Sequence, residues 1–337
     1  MTTQDTQAPK RSRLKTILLI VVALPIAIVG WHTLNRLLSP LFAVKIRQLP
    51  DTPKKKKIFK NNRLRIGIYN IAHGRGLGSN WKGGSPKVRM KRLRKISALL
   101  KKLNLDVVVL NEVDFNASWS FRVNQAEVIA RHAGFPYWLE QRNFDVMLPF
   151  FRLRFGNAIL SRYPLKNPRL LSYPPHSIWE GLLVGHKKGA VCTVVLSENR
   201  SFDLLGVHLE HRKESVRVRG AKVIETFRKK LKTEFVAAGD FNSAPIGYPV
   251  VRQDKKTGLT AVSLLLQGGG LSSALSNKPS RKDLTFPSRR PNRVIDWIFV
   301  PHSWNFASYK VIRSHLSDHL PVVAEVVLPK RTKPSKK

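Results

Sequence analysis

The sequence predicts a mixed domain of the α/β or α+β class over residues 64–329, with two β-sheets and flanking helices. Two positive observations predict it: apolar, β-branched runs recur through that stretch, and capped amphipathic helical patterns fall between them. No repeat period is visible.

The N-terminus comes first. Residues 1–15 form a basic tail carrying Lys10, Arg11, Arg13 and Lys15, and residues 16–35 carry no formal charge. As a helix the uncharged stretch is about 30 Å long, enough to cross a bilayer core, with Trp31 and His32 at the far interface. Pro25 is tolerated inside a membrane helix. We read the segment as an uncleaved single-pass signal anchor with the C-terminal domain outside the cytoplasm. The alternatives are a cleaved signal peptide, which makes the protein secreted, and a buried helix. Residues 36–63, with Pro50-Asp51-Thr52-Pro53 and Lys54 to Lys57, read as a basic linker unable to bury a core, and residues 330–337 as a disordered basic tail.

Within the domain the expected strands are Ile66–Ile71, Val107–Leu110, Asn157–Leu160, Ala190–Leu196, Phe202–Leu209, Phe235–Ala238, Val294–Val300 and Val322–Val327. A helix follows Ser85-Pro86, where a capping residue precedes proline at the first helical position. Its inward face is Met90, Leu93, Ile96, Leu100 and Leu103. A second helix starts near Asn124 and stops at Gly134, and a third spans about Glu214 to Leu231 with Ala221, Ile224, Phe227 and Leu231 inward.

Composition narrows the chemistry. The formal net charge is +39, from 60 basic and 21 acidic residues, a field that attracts nucleic acid, anionic lipid headgroups and phosphorylated substrates alike. A single cysteine, Cys192, excludes an internal disulfide and a cysteine metal cluster; it reads as a small buried strand residue. The expected state is a monomer.

Polar residues recur in or just after the apolar strands: Asn70, Glu112, His208, Asp240 with Asn242, Asp296, and Asp318-His319. A buried carboxylate costs several kcal/mol unless it is paired or binds a metal. Their recurrence points to one shared site at the strand ends. Oxygen donors without thiolates suit Mg²⁺, Mn²⁺ or Ca²⁺. Taken singly each piece is bland: His208 reads as a core histidine, Asp240-x-Asn242 as a turn, and Asp114 as a solvated turn residue, or else as an acid supporting the site from behind. The stretch His73-Gly74-Arg75-Gly76 reads as a plain flexible loop, or else as a glycine-rich approach to phosphate. No aromatic stacking motif stands out.

Gly239-Asp240-Phe241-Asn242-Ser243 and Ser317-Asp318-His319-Leu320-Pro321, in this order and with the second near the domain's end, resemble the motifs of the endonuclease/exonuclease/phosphatase superfamily, deoxyribonuclease-I-like metal-dependent phosphoesterases. Tyr69-Asn70-Ile71, Leu110-Asn111-Glu112 and the run Gly156 to Pro164 add to the resemblance, which covers nearly all of 64–329. It implies a four-layer fold with the site at one edge of the sandwich, and Mg²⁺ or Mn²⁺ as cofactor. It also implies roles. Glu112 is the principal metal ligand, with Asn70 and Asp318 near it. Asp240 positions or deprotonates the attacking water, and Asn242 orients that water or holds a phosphate oxygen. His319, paired with Asp296, stabilises developing charge or moves a proton, and His208 contacts phosphate. Two departures stand out. Asn111 replaces the family's frequent glutamine, and Arg217 is followed at the expected spacing by Gly220 rather than glutamine.

The function so implied is hydrolysis of phosphoesters by a phosphodiesterase or endonuclease-like enzyme. The alternatives are a phospholipid or phosphoinositide headgroup phosphoesterase, an inactive polyanion-binding module of the same fold, and a purely structural basic membrane protein.

Overall fold

The computed structural model describes residues 10–50, 52, 58–79, 84–247, 253–275 and 279–330, with side chains from residue 17. Residues 1–9 of the expected basic tail, Asp51 and 53–57 of the expected linker, and 331–337 of the C-terminal tail lie outside the described residues.

Every expected strand forms, most with longer bounds. Two βαβ units organise the domain. In the first, β2 (Arg63–Asn70) leads through α2 (Pro86–Lys102) to β3 (Val107–Asp114), and β2 pairs parallel with β3. In the second, β8 (Arg200–His208) leads through α5 (Glu214–Lys229) to β9 (Phe235–Asp240), again parallel. The remaining pairs are antiparallel. β3 is flanked by β5 (Arg152–Ser161) and then β4 (Tyr137–Met147), and β2 by β13 (Val322–Val327) and β12 (Asn305–Val311). With β1 (Val44–Gln48) at the far edge these make a seven-stranded sheet. The second sheet has six strands, in the order β10 (Leu271–Ser272), β11 (Asp296–Pro301), β9, β8, β7 (Lys188–Ser197) and β6 (Leu165–Ser172).

The helices form where their caps predict. Ser85 caps α2 by accepting from the Val88 N–H, and Asn124 caps α3 (Gln125–Ala133) by accepting from the Glu127 N–H. Gly134 ends α3 at φ +77°, a left-handed conformation open to glycine. On α2, Leu93, Ile96 and Leu100 are buried; Arg89, not Met90, fills the preceding turn.

Three apolar cores define the layers. One lies between the sheets and includes Ile66, Val109, Ile159, Cys192 and Leu204. A second packs α2 and α3 on the seven-stranded sheet, and a third packs α5 and α6 (Ala261–Gln267) on the six-stranded sheet. The result is helix, sheet, sheet, helix. Truncating Ile159, 0% exposed, to alanine is expected to cost ~2–5 kcal/mol.

The expected linker is corrected in two places. The N-terminal helix α1 runs Lys10–Phe42, past the expected end at residue 35. Residues 44–48 then form edge strand β1, paired antiparallel with β4 from Val44↔Gln141 to Gln48↔Tyr137. Val44 and Ile46 alternate with Lys45 and Arg47, so a strand period is present, masked by its charge.

Candidate active site

Both parallel pairs end at the same edge of the sandwich. β2 and β3 end side by side at Asn70↔Asn111, and β8 and β9 at His208↔Asp240. Ligand sites of open α/β sheets lie beyond such carboxyl ends. Asp296, the first residue of β11, sits opposite Asp240, and Asp318-His319 lies just before β13.

A buried amide staples the two sheets here. Asn111 Nδ2 donates to the Val207 carbonyl at 2.8 Å, and its Oδ1 accepts from the Asp240 N–H at 3.0 Å. The chain continues from Asn111 to Asn157 at 2.8 Å and from Asn157 to Gln141 at 2.7 Å. The departure at Asn111 is thus a positioning residue for Asp240.

Around a cavity of about 490 Å³ the expected residues converge. Asn70 Nδ2 donates to Asp240 Oδ2 at 3.1 Å and lies 3.3 Å from Glu112 Oε1. Asp240 Oδ1 accepts from the Asn242 N–H at 2.8 Å. His319 Nδ1 lies 3.0 Å from Asp296 Oδ2, and its Nε2 lies 3.8 Å from Asp240 Oδ2. His208 Nε2 lies 3.6 Å from Asp240 Oδ2 and 4.0 Å from Glu112 Oε1. Glu112 is carried at φ +53° on a bulge of β3 between Asn111 and Val113. Asn70 and Asp296 stand behind the cavity wall and hold the residues that line it. Asp318 lines the cavity, but its Oδ2 is bonded to Arg75 at 2.8 Å. Asn242 Nδ2 is committed to the Leu209 carbonyl at 3.1 Å.

The electrostatics separate the titratable groups. Burial pushes the Asp240 carboxyl up to about 7, against the pull of His319. Burial opposes charge on His319, but Asp296 outweighs it and raises the imidazole to about 10. Burial, with Lys187 beside it, holds His208 well below the ordinary imidazole range. Burial raises Glu112, but cationic neighbours led by His73 outweigh it and hold the carboxyl far below its usual range. One buried site therefore holds a basic carboxylate, a charged imidazole and a neutral imidazole.

Two of the blander readings are overturned, one at the end of β3 and one in the loop after β2. Asp114 is fully buried and takes bonds from His73 Nδ1 at 2.7 Å and Trp119 Nε1 at 3.0 Å, so it is no solvated turn residue. His73 is buried in a tight turn at φ +53°, with Nε2 3.4 Å from Glu112 Oε2. The segment is a built wall. At the second departure, Arg217 bonds Glu214 and the Glu210 carbonyl, a structural role.

Sequence reasoning passed over several lining residues. Lys187 places Nζ 2.8 Å from His208 Nε2, but it is one of 60 cations and nothing local marks it. Phe144 and Phe155 stack at 4.7 Å, Trp119 and Phe155 at 5.5 Å, and all three line the cavity. They come from separate elements, which hides the aromatic wall from a linear motif search.

The donor set fits a hard dication. Glu112, whose side chain is 24% exposed, and Asp318 offer carboxylate oxygens to one cavity, while Asn70 turns its amide N–H to Glu112 and its Oδ1 to the Ala72 N–H; no thiolate is near among the described residues. Asp240, Asp296 and His319 form a second tight cluster, with ligand atoms within 4.8 Å of one another.

Fold and site together define a four-layer sandwich with a cluster of buried acids and imidazoles at one edge. The sequence profile of the endonuclease/exonuclease/phosphatase family matches residues 67–319, and the chain belongs to that family. No curated protein matches it. Among solved structures, it is similar to an endonuclease/exonuclease/phosphatase from Beutenbergia cavernae (18% identity, TM-score 0.57, covering 79% of this chain and 72% of that one). It also resembles the human Nocturnin catalytic domain with bound sulfate (18% identity, TM-score 0.53, 85% and 98% covered). A third is the mannosyl-6-phosphatase of Bacteroides thetaiotaomicron (16% identity, TM-score 0.55, 79% and 100% covered). The family generally consists of hydrolytic phosphoesterases.

Proposed function

We propose that the protein is a divalent-metal-dependent hydrolase of phosphoester bonds, with phosphodiesters as the preferred bond type, held at a membrane by α1. The single observation that carries this is the meeting of Asp240, His319 and Glu112 at the carboxyl ends of two parallel strand pairs. Each carries a different perturbation of its acidity.

Glu112, with Asp318 nearby, would hold the cation, and Asn70, whose oxygen is taken by the Ala72 N–H, would steady Glu112. When bound, Mg²⁺ or Mn²⁺ neutralises non-bridging phosphate oxygens and favours attack at phosphorus. Asp240 takes the proton of the attacking water; its two oxygens are aimed by the Asn242 N–H and the Asn70 amide. His319 is kept charged by Asp296 and offers a proton or a positive charge to the developing oxyanion. His208, neutral and braced by Lys187, contacts a phosphate oxygen. Arg75, Arg212 and Arg293 at the rim attract the anionic substrate.

The signal-anchor reading puts the catalytic domain outside the cytoplasm; protease protection of membrane vesicles checks that side. The activity is tested by hydrolysis of bis-p-nitrophenyl phosphate with Mg²⁺ or Mn²⁺. Turnover abolished by chelator and restored by either metal supports the reading. Absence of chelator-sensitive turnover by folded protein leaves a polyanion-binding module instead.

A further inference from the structure

Helix α4 (Ile178–Leu183) breaks the usual burial rule. None of its residues is buried, and Ile178, Trp179, Leu182 and Leu183 are 74, 73, 61 and 58% exposed. Its one acid, Glu180, lines the catalytic cavity and pairs with Arg212 on the rim. The helix therefore joins the mouth of the site to an apolar face with no cover among the described residues.

What lies beside that face is α1. Its apolar span, Ile17–Phe42, has a window with no buried residue. Where the uncharged run ends, the helix turns to the domain. The Leu183 carbonyl only accepts, so His32 Nε2, 2.7 Å away, donates to it. Arg36 Nη2 donates to the Gly181 carbonyl at 3.0 Å. These are carbonyls of the last turn of α4, which have no intrahelical partner. Asn35 Nδ2 donates to the Asp145 carbonyl at 2.9 Å, and Ser39 Oγ to its carboxylate at 3.1 Å. So α4 is capped by α1 where the uncharged run of that helix ends. Exposed Lys45 and Arg47 of β1 stand by the same junction, lining a groove of about 590 Å³ together with Trp31 and Leu38. Cations beside apolar and tryptophan side chains suit the headgroup boundary of an anionic bilayer.

We infer that the exposed face of α4 is a second membrane contact, continuous with α1, that sets the mouth of the cavity on the bilayer surface, and that the substrate is a phosphoester carried by a membrane lipid. The substrate assignment rests on the phosphoesterase reading above; the membrane contact does not.

The full chain is reconstituted into nanodiscs of phosphatidylcholine and phosphatidylserine, with and without lipids brominated near the headgroup. Quenching of a fluorescence component that Trp179→Phe removes is the expected result; quenching that is the same with and without Trp179 overturns the contact. The intact chain and the triple variant Ile178→Ser, Trp179→Ser, Leu182→Ser are then compared with Mn²⁺ on bilayers containing sphingomyelin and phosphatidylinositol phosphates, and on soluble bis-p-nitrophenyl phosphate. The variant is expected to lose at least ~10-fold on lipid and nothing on the soluble diester, because it removes interfacial apolar area alone. Equal turnover of lipid by both chains, or cleavage of plasmid DNA with no lipid hydrolysed, overturns the substrate class. Absent turnover of the soluble diester by the intact chain defeats the phosphoesterase reading instead, and the quenching still decides the contact.

Discussion

The catalytic cavity and the α1–α4 ridge break opposite rules. The cavity buries ionisable groups: Asp240, Asp296, His208 and His319 are each at most 5% exposed. The ridge exposes apolar side chains: Leu19, Ile26, Trp179 and Leu182 are all well over half exposed. Each arrangement costs free energy in isolation. The cavity offsets the cost by pairing Asp296 with His319 and by aiming the Asn70 and Asn242 N–H groups at Asp240. The ridge has no apolar cover within the described chain, and on the proposed reading a bilayer supplies it. On that reading the contrast separates chemistry from location: one region sets what is broken, the other where.

The predictions test that separation, starting with the largest effect. Asp240→Asn or His319→Ala is expected to lower turnover of bis-p-nitrophenyl phosphate at least ~100-fold, the scale of a lost base or acid, with no change in membrane attachment. Steady-state kinetics and vesicle flotation read both. Asp296→Asn leaves His319 in place but removes the charge that raises it; a ~10-fold loss is expected, together with movement of the alkaline limb of the rate profile toward the ordinary imidazole range.

The pH profile itself comes next. Asp240 must be deprotonated to take a proton, so turnover falls as pH drops through about 7. His319 must be charged, so turnover falls as pH rises through about 10. At 3.8 Å the two titrate as a coupled pair, and a bound dication moves the acidic limb lower. The linkage to stability has the same sign for His319. Its pKa in the folded protein is raised, so its contribution is complete below the ordinary imidazole value and lost as pH rises through about 10. Thermal unfolding across that range checks it.

Asn111→Leu leaves the buried Asp240 N–H and Val207 carbonyl without a partner, and is expected to cost ~1–3 kcal/mol in unfolding experiments. The smallest effect belongs to deletion of residues 1–35. It removes the His32 and Asn35 bonds, worth about 1 kcal/mol each, and retains Arg36 and Ser39. The truncated chain is expected to be released from membranes with its turnover of soluble diester unchanged.

Much of the fold was legible because its signals are local. The run Val107 to Leu110 is apolar and β-branched wherever it sits, and Ser85-Pro86 caps a helix by its own chemistry. The strands that escaped notice are those whose pattern is diluted. β1 alternates with Lys45 and Arg47, and β4 carries Glu140, Gln141, Arg142, Asn143 and Asp145. All but Arg142 are buried, and at Gln141 and Asn143 amide pairing replaces apolar contact. In the site, Asp240-Phe241-Asn242 and Asp318-His319 stand out as short motifs, whereas Lys187, Asp114, Trp119 and Phe155 do not. Their meaning lies in neighbours far along the chain.

By itself the sequence determined the strands, the helix caps, the apolar N-terminal span and the identities of the acids and imidazoles, because each depends on residues within a few positions of one another. Only the tertiary structure decided that Asn70 would meet Asp240, 170 residues away, that Asp296 would charge His319, and that α1 would cap α4 beside the cavity. Acidity shifts and docking surfaces are properties of neighbours in space, and a linear chain does not state who those neighbours are.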